Sequence, residues 1–252
     1  MSTYVYGIVR ASHPTLPDGV EGIGDPPQPV RVLAQGQVAA IISSLHEELR
    51  PKRRHLLAHQ RVLDAAGSGG VVLPMRFGSL SPDDDTVSLV LSDYAEDFLK
   101  QLQALDGRAE YNLKANHDEE AVLRLVTAED PQIRSLAAAN REAGGGSHED
   151  RLRLGEMIAA AVQAREAEDA DLVRRTVEPA AEAVSTGPQS SGWLVNLSFL
   201  VERSAAGRFR DAVDALGQEH PHLELRLAGP MPPYSFVTSA FGSEPENPVL
   251  NA

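Results

Sequence analysis

The residues best equipped for chemistry in this chain are its histidines and its many carboxylates. His55 and His59 stand four apart in a stretch of helical period, a spacing that puts two imidazoles on one helix face and could begin a zinc site. Such a site needs a further ligand, and the chain has neither an HExxH arrangement nor any cysteine. The two are therefore expected as partly exposed helix histidines. His220-Pro221-His222 reads as a turn before a strand. Gly67-Ser68-Gly69-Gly70 lacks the lysine and following helix of a phosphate-binding loop, and Gly19 to Gly24 lacks the spacing of a dinucleotide fingerprint. Both are expected as loops. Carboxylate pairs such as Glu119-Glu120 have no setting that marks a raised pKa. The chain is expected to carry no catalytic, metal or cofactor site.

The elements that must position these residues alternate between strand and helix patterns. Tyr4 to Val9 is short, aromatic and β-branched, which suits a buried strand. A Pro- and Gly-rich loop from His13 to Pro29 leads to Val30–Leu33 and Val38–Ile42, a hairpin turning at Gln35-Gly36-Gln37. Lys52 to Ala66 follows a helical period, closed by the glycines after it. Val71 to Phe77 reads as a strand, Ser81-Pro82-Asp83-Asp84 as a helix start capped by the hydroxyl, and Val87 to Leu105 as one helix. Tyr111 to Ala115 gives one more strand. That order predicts a mainly antiparallel sheet with two helices on one face, for which a ferredoxin-like sandwich over 1–116 is the closest simple model.

Residues 117–146 are expected as a helical connection interrupted at Asp130-Pro131 and ended by Gly144-Gly145-Gly146. Ser147 to Asp150 has the capping-box shape. The helix it opens runs toward Glu178, about 43 Å at 1.5 Å per residue. Its charged middle, Arg165 to Asp171, reads as solvated or lying between domains. A polar loop, Thr186 to Ser191, precedes a strand at Trp193–Val201, a short helix bearing Phe209, Val213 and Leu216, and an alternating strand at His222–Leu227. The fold class is thus α+β in two domains, the second (147–238) an α+β unit with a long helix and a small sheet, followed by a flexible tail at 239–252.

Bulk composition narrows the function classes. With 36 acidic against 23 basic residues the net charge is −13, so a phosphate backbone would be repelled. The densest basic stretch, Arg50, Lys52, Arg53, Arg54 and Arg61, reads as a solvated helix face. Nucleic acid is not an expected partner. No apolar run approaches the roughly 20 residues that span a bilayer, and no signal core follows Met1. Zero cysteines fit a reducing compartment, and a cytoplasmic protein is expected.

Three stretches resemble the GvpL/GvpF family of gas vesicle proteins: Tyr4 to Val9, Val72-Leu73-Pro74-Met75-Arg76-Phe77-Gly78, and Ala228-Gly229-Pro230-Met231-Pro232-Pro233-Tyr234-Ser235-Phe236-Val237. Their order and spacing agree with the family over roughly residues 3–237. Met231 departs from the tryptophan usual there. The resemblance implies a non-enzymatic accessory protein required for vesicle formation. Its implied partners are the hydrophobic shell protein and other accessory proteins, and its implied place is the gas vesicle. It also implies two α/β domains, the first a modified ferredoxin-like sandwich.

Candidate partner-binding residues are Arg76, Phe77, Pro232, Pro233, Tyr234 and Phe236. Two prolines stop a strand, and Tyr234 and Phe236 would share one side if the chain stays extended there. The competing reading clamps these rings onto the core, and Arg76 is expected to pair with Asp83, Asp84 or Asp85. The alternative function is a small-molecule-binding regulatory module on a ferredoxin-like fold, with a closed pocket near Arg76 or Lys114. A third reading, an enzyme with an unrecognised site, predicts ionisable groups clustered between domains. A duplicated plan within one chain favours a monomer.

Overall fold

Strand β1 (Ser2–Arg10) is buried along almost its whole length, as a run rich in aromatic and β-branched residues should be. In this computed structural model, which describes residues 2–14, 16–17, 19–46, 51–188 and 192–237, β1 lies between β3 (Val38–Leu45) and two short strands, β4 (Leu73–Pro74) and β5 (Leu80–Ser81). The hairpin forms as expected: β2 (Val30–Gln35) pairs with β3 from Gln35↔Val38 to Val30↔Ser43, and Gly36 takes the turn at φ 60°. The sheet order is β2-β3-β1-β4. The tail expected at 239–252, Arg50 of the basic stretch, and Gln189 to Ser191 lie outside the described residues.

Helix α1 (Arg53–Gly69) covers the sheet face that carries Tyr4, Tyr6, Ala39 and Ile41, burying Ala58, Val62, Leu63 and Ala66 against it. Expected to stop at Ala66, it instead includes Gly67, Ser68 and Gly69. His13 Nε2 donates to the Ala66 carbonyl (3.1 Å), so a side chain supplies the partner that a left-handed glycine cap would have supplied.

The periodic run after Ser81 forms two helices, α2 (Asp84–Asp93) and α3 (Ala95–Ala104), divided at Tyr94 (φ −110°, ψ 17°). Helix α2 packs on β2, β3 and β5 and α3 on β1, β3 and β4, so the break lets each half follow different strands. The cap is Asp83, which accepts from Thr86 N (2.8 Å), rather than Ser81. Asp84 is bonded by Thr3 and Arg31, residues that alternate with the α1-facing Tyr4 and Val32. Helix α2 therefore lies on the opposite sheet face from α1, not on the same face as expected. The sandwich is modified in that its sheet is covered on both sides.

Of the strand expected over Val71–Phe77, the ladder with β1 holds only Leu73–Pro74, and pairing with β1 resumes beyond it at Leu80–Ser81. Pro74 has no N–H, and Gly78 turns the chain at φ 93°, so the stretch between bulges away from β1. It stays tethered by Met75 N to Tyr6 O (2.8 Å) and Val5 N to Ser79 O (3.0 Å).

Contacts divide the chain into two units, residues 1–110 with 230–252, and residues 111–229. The strand expected at Tyr111–Ala115 is longer, β6 (Arg108–His117), and sits inside a second sheet of order β7-β8-β6-β9. Its other strands are β7 (Ala183–Thr186), which sequence pattern had missed, β8 (Val195–Glu202) and β9 (Leu223–Met231). Helices α4 (Glu119–Glu129) and α5 (Pro131–Glu142) meet at Asp130, whose carboxylate caps α5. Ser147 caps α6 (His148–Val177), an unbroken 30-residue helix followed directly by a 3-10 turn, Glu178–Ala180, that contains Pro179. Helix α7 (Ala206–Glu219) buries Phe209, whose ring lies 5.2 Å from Tyr111 and 5.3 Å from Phe199.

Candidate functional site

In the first unit the three motif stretches converge on one aromatic cluster. Tyr4 and Tyr6 are fully buried, with ring centroids 4.8 Å apart. His59 stacks on Tyr6 (5.6 Å, 28°), meets Tyr4 and Phe77 edge-on, and is 4% exposed. The expectation of partly exposed histidines is thus corrected: His55 and His59 are both buried. The physical cause is readable afterwards, since His59 shares the stripe of Val62, Leu63 and Ala66.

Two hydroxyls organise this cluster. Tyr4 Oη accepts from Gly78 N (3.0 Å) and shares a hydrogen bond with His59 Nδ1 (2.9 Å), which holds the Pro74–Gly78 bulge over the core. Tyr6 Oη accepts from Ile23 N (2.7 Å) and shares a hydrogen bond with Ser43 Oγ (2.9 Å), anchoring the long loop. Burial pushes the Tyr4 phenol well above its usual pKa and the His59 imidazole below its own. Both side chains are therefore neutral structural groups at pH 7.

Pro232-Pro233 ends β9 as expected, but the chain then turns. Tyr234–Phe236 forms a 3-10 turn, so the extended geometry that would align Tyr234 with Phe236 is absent. Tyr234 packs on the same core cluster as Phe77, and burial pushes its phenol up. The buried Glu110 carboxylate accepts from Ser235 N (2.8 Å) and Ser235 Oγ (2.7 Å), pinning the turn. Pro233 is buried, and Pro232 and Phe236 are half-buried. Arg76 is exposed and, among the described residues, forms no ion pair with Asp83–Asp85. Asp84 is instead held by Arg31 (2.6 and 2.9 Å) and Thr3 (2.6 Å), which keep its carboxyl below the usual range.

The second unit contains a buried polar cluster that sequence reasoning missed. Asp169 Oδ2 accepts from His117 Nε2 (2.9 Å) and His222 Nε2 (3.0 Å). Arg165 Nε donates to both Asp169 oxygens (3.1 and 3.2 Å), and its Nη1 reaches Glu129 (3.0 Å). Asp169 is 1% exposed, so the charged middle of α6 is not simply solvated, and His222 is more than a turn residue. The signal was present: Asp169 precedes Val173 and Val177 at successive four-residue steps, the buried stripe of α6. Among the described residues no group of three or more His, Cys, Asp or Glu is arranged to hold a metal ion. No helix among them is long and apolar enough to cross a membrane.

These two clusters set an acid sensitivity. Burial lowers the pKa of His59 and His222 below 6.5, and for His222 it outweighs the opposing pull of Asp169. The folded chain therefore binds fewer protons at these sites than the unfolded chain. Their stabilisation is complete above pH 6.5 and is lost as pH falls through the folded values. Urea titrations are expected to give a lower midpoint at about pH 5.5 than at about pH 7.5, where most exposed carboxylates stay ionised throughout. Equal midpoints would contradict this assignment.

Comparison with known proteins places this architecture. The gas vesicle synthesis protein GvpL/GvpF family matches residues 2–238. Gas vesicle protein F of Streptomyces sp. (strain CB03234) is 59% identical over 237 residues, 94% of this chain and the whole of that protein. Gas vesicle protein L of the same organism is 29% identical, covering 93% of this chain and 92% of its own. The crystal structure of GvpF from Anabaena sp. PCC7120 shares the fold at a TM-score of 0.73 and 22% identity, covering 97% of this chain and 99% of its own. That of GvpF from Microcystis aeruginosa does so at 0.69 and 24%, covering 93% and 98%. The fold is that of a two-part α+β gas vesicle accessory protein. This chain belongs to the GvpL/GvpF family.

Proposed function

We propose that this protein assists gas vesicle formation by binding the hydrophobic shell protein, together with other accessory proteins, and that it catalyses no reaction. One observation supports this most: the segments that mark the family meet in the first unit, where Phe77 and Tyr234 pack over a buried aromatic core. A shell that keeps liquid water from a gas space must expose apolar surface, and free shell subunits would aggregate through it. A chain of net charge −13 could cover that surface while keeping the complex dispersed. In this proposal it acts as a monomer in the cytoplasm and at the growing vesicle, and Arg76, Phe77, Pro232, Pro233, Tyr234 and Phe236 form the contact.

Arg76 and Phe236 are the members to test, since Tyr234 also supports the core. Co-expressed with the shell protein, wild type is expected to retain it on purification. Arg76→Glu/Phe236→Ala is expected to retain at least tenfold less with an unchanged urea midpoint. Full retention by the folded double variant would move the contact elsewhere, and none by wild type would sink the partner assignment.

The small-molecule reading draws on a different feature. An open cleft of about 750 Å³ in the second unit is lined by Asp171, Arg174, Trp193 and Asn196. Lys114 Nζ and Arg226 Cζ lie 5.3 and 5.2 Å from the Trp193 ring. Quenching of the only tryptophan by a metabolite would favour that reading.

A further inference from the structure

Strand β2 is the outer strand of the first sheet, and among the described residues no strand pairs with its free side. The preceding loop pairs through the Glu21↔Pro29 bridge, which engages the Val30 N–H because Pro29 has none, and among the described residues Arg31 to Gln35 are left open. Such edges are normally blunted, because a row of unpaired N–H and C=O groups is a template for another chain. The other outer strands here show the usual devices. Strand β4 is two residues long and holds a proline, β7 is four residues long, and β9 carries exposed Glu224 and Arg226 and then Pro230.

Strand β2 has none of them. Its sequence, Val-Arg-Val-Leu-Ala-Gln, contains no proline and one charge. That charge is withdrawn from the edge: Arg31 is tied by two hydrogen bonds to Asp84, which Thr3 also holds. Val32 is 49% exposed. A two-residue turn closes on a hydrogen-bonded pair, here Gln35↔Val38, so Leu33↔Ala40 and Arg31↔Ile42 are the next bonded pairs. The main-chain groups of Val32 and Ala34 therefore point outward beyond the part of the edge that the loop occupies at Val30, at the spacing that a further antiparallel or parallel strand requires.

We infer that the outer edge of β2 is a strand-addition site, and that its occupant is an extended, uncharged, apolar segment of the shell protein. This rests on the proposed shell-protein partnership and supplies a mode of binding for it. Main-chain bonding gives the attraction, and the flanking Val32 and Ala34 select small or β-branched side chains opposite them. A charged segment would meet no counter-charge, since the single cation of β2 is already neutralised. A second copy of this chain is disfavoured as occupant, because two bodies of charge −13 repel.

The outward N–H groups make a selective test. Ala34→Pro removes one of them without touching the β2–β3 ladder, and Val32→Lys places a cation on the edge while leaving the backbone intact. Val32→Thr is the conservative control. Each is co-expressed with the shell protein and purified, with urea midpoints and molecular masses measured alongside. Wild type and Val32→Thr are expected to retain the shell protein, and the other two to retain at least tenfold less with near-native midpoints. If Ala34→Pro fails to fold, Val32→Lys alone decides. Full retention by the folded variants would overturn the strand-addition site while leaving shell-protein binding in place. No retention by wild type would instead sink the partnership, and the named occupant with it. A wild-type mass of two chains that falls to one in Ala34→Pro would identify a second copy as the occupant and overturn the inference.

Discussion

Asp169→Ala is expected to destabilise the second unit by about 3–5 kcal/mol, the usual cost of removing one partner from a buried ionic cluster. Asp169 is the acceptor for two imidazoles and a guanidinium at once, and its side chain is 2% exposed. Alanine would leave the Nε2 atoms of His117 and His222 facing a void inside the protein. The Arg165 side chain, 19% exposed, would keep only Glu129, itself 53% exposed. Asp169→Asn should cost less, because the amide keeps the volume and one acceptor oxygen while losing the charge that offsets Arg165. Urea titration of the three proteins measures the effect. A loss below about 1 kcal/mol for the alanine variant would mean that water satisfies the orphaned groups and that the cluster is of little consequence.

The second large effect is expected at Tyr4, where two changes separate its ring from its hydroxyl. Tyr4→Ala removes a fully buried aromatic side chain and should cost about 3–5 kcal/mol, the range for large-to-small core substitutions. Tyr4→Phe keeps the ring and removes only the hydroxyl, leaving Gly78 N without its acceptor and His59 Nδ1 without its hydrogen-bond partner. That should cost about 1–3 kcal/mol. The phenylalanine variant should also speed hydrogen exchange of the Gly78 amide, since its bond to Tyr4 Oη is gone while the surrounding packing stays. Equal stability of Tyr4→Phe and wild type, with unchanged exchange, would show that the bulge is held by apolar contacts alone.

Much of this fold was legible wherever one face of an element is buried and its period is clean. The β2–β3 hairpin, the paired helices meeting at Asp130-Pro131, and the long helix capped by Ser147 all follow from pattern and cap chemistry. What escaped depends on contacts distant in sequence. The break at Tyr94 has no proline or glycine to announce it and reflects which strands each half must cover. Gly67 to Gly69 stay helical because His13, far back in the chain, bonds the Ala66 carbonyl. Strand β7 is short and little more apolar than a loop, and exists through its pairing with β8.

The candidate site shows the same division. The stretches Pro74–Gly78 and Pro232–Phe236 stood out in sequence, but their meeting over Tyr4 and His59 did not, because nothing local links residues about 150 positions apart. Asp169 was hidden by company: in a run with Arg165, Glu166, Glu168 and Asp171, one more acid reads as surface. Only its place in the stripe of Val173 and Val177 distinguishes it, and only the structure supplies the two histidines that satisfy it.

The first unit draws residues from both sides of the second, since 2–110 and 230–237 contact each other and 111–229 intervene. This sets a schedule during synthesis. Tyr234, which covers the Tyr4–His59 cluster, and Ser235, which Glu110 receives, leave the ribosome only after all of 111–229. At about 5–20 residues per second, that delay is on the order of ten seconds. Throughout it the sheet and α1 can assemble but their aromatic face lacks its last cover, and a nascent chain cut short before Tyr234 never gains it. Completion of the first unit therefore requires that translation has passed through the second.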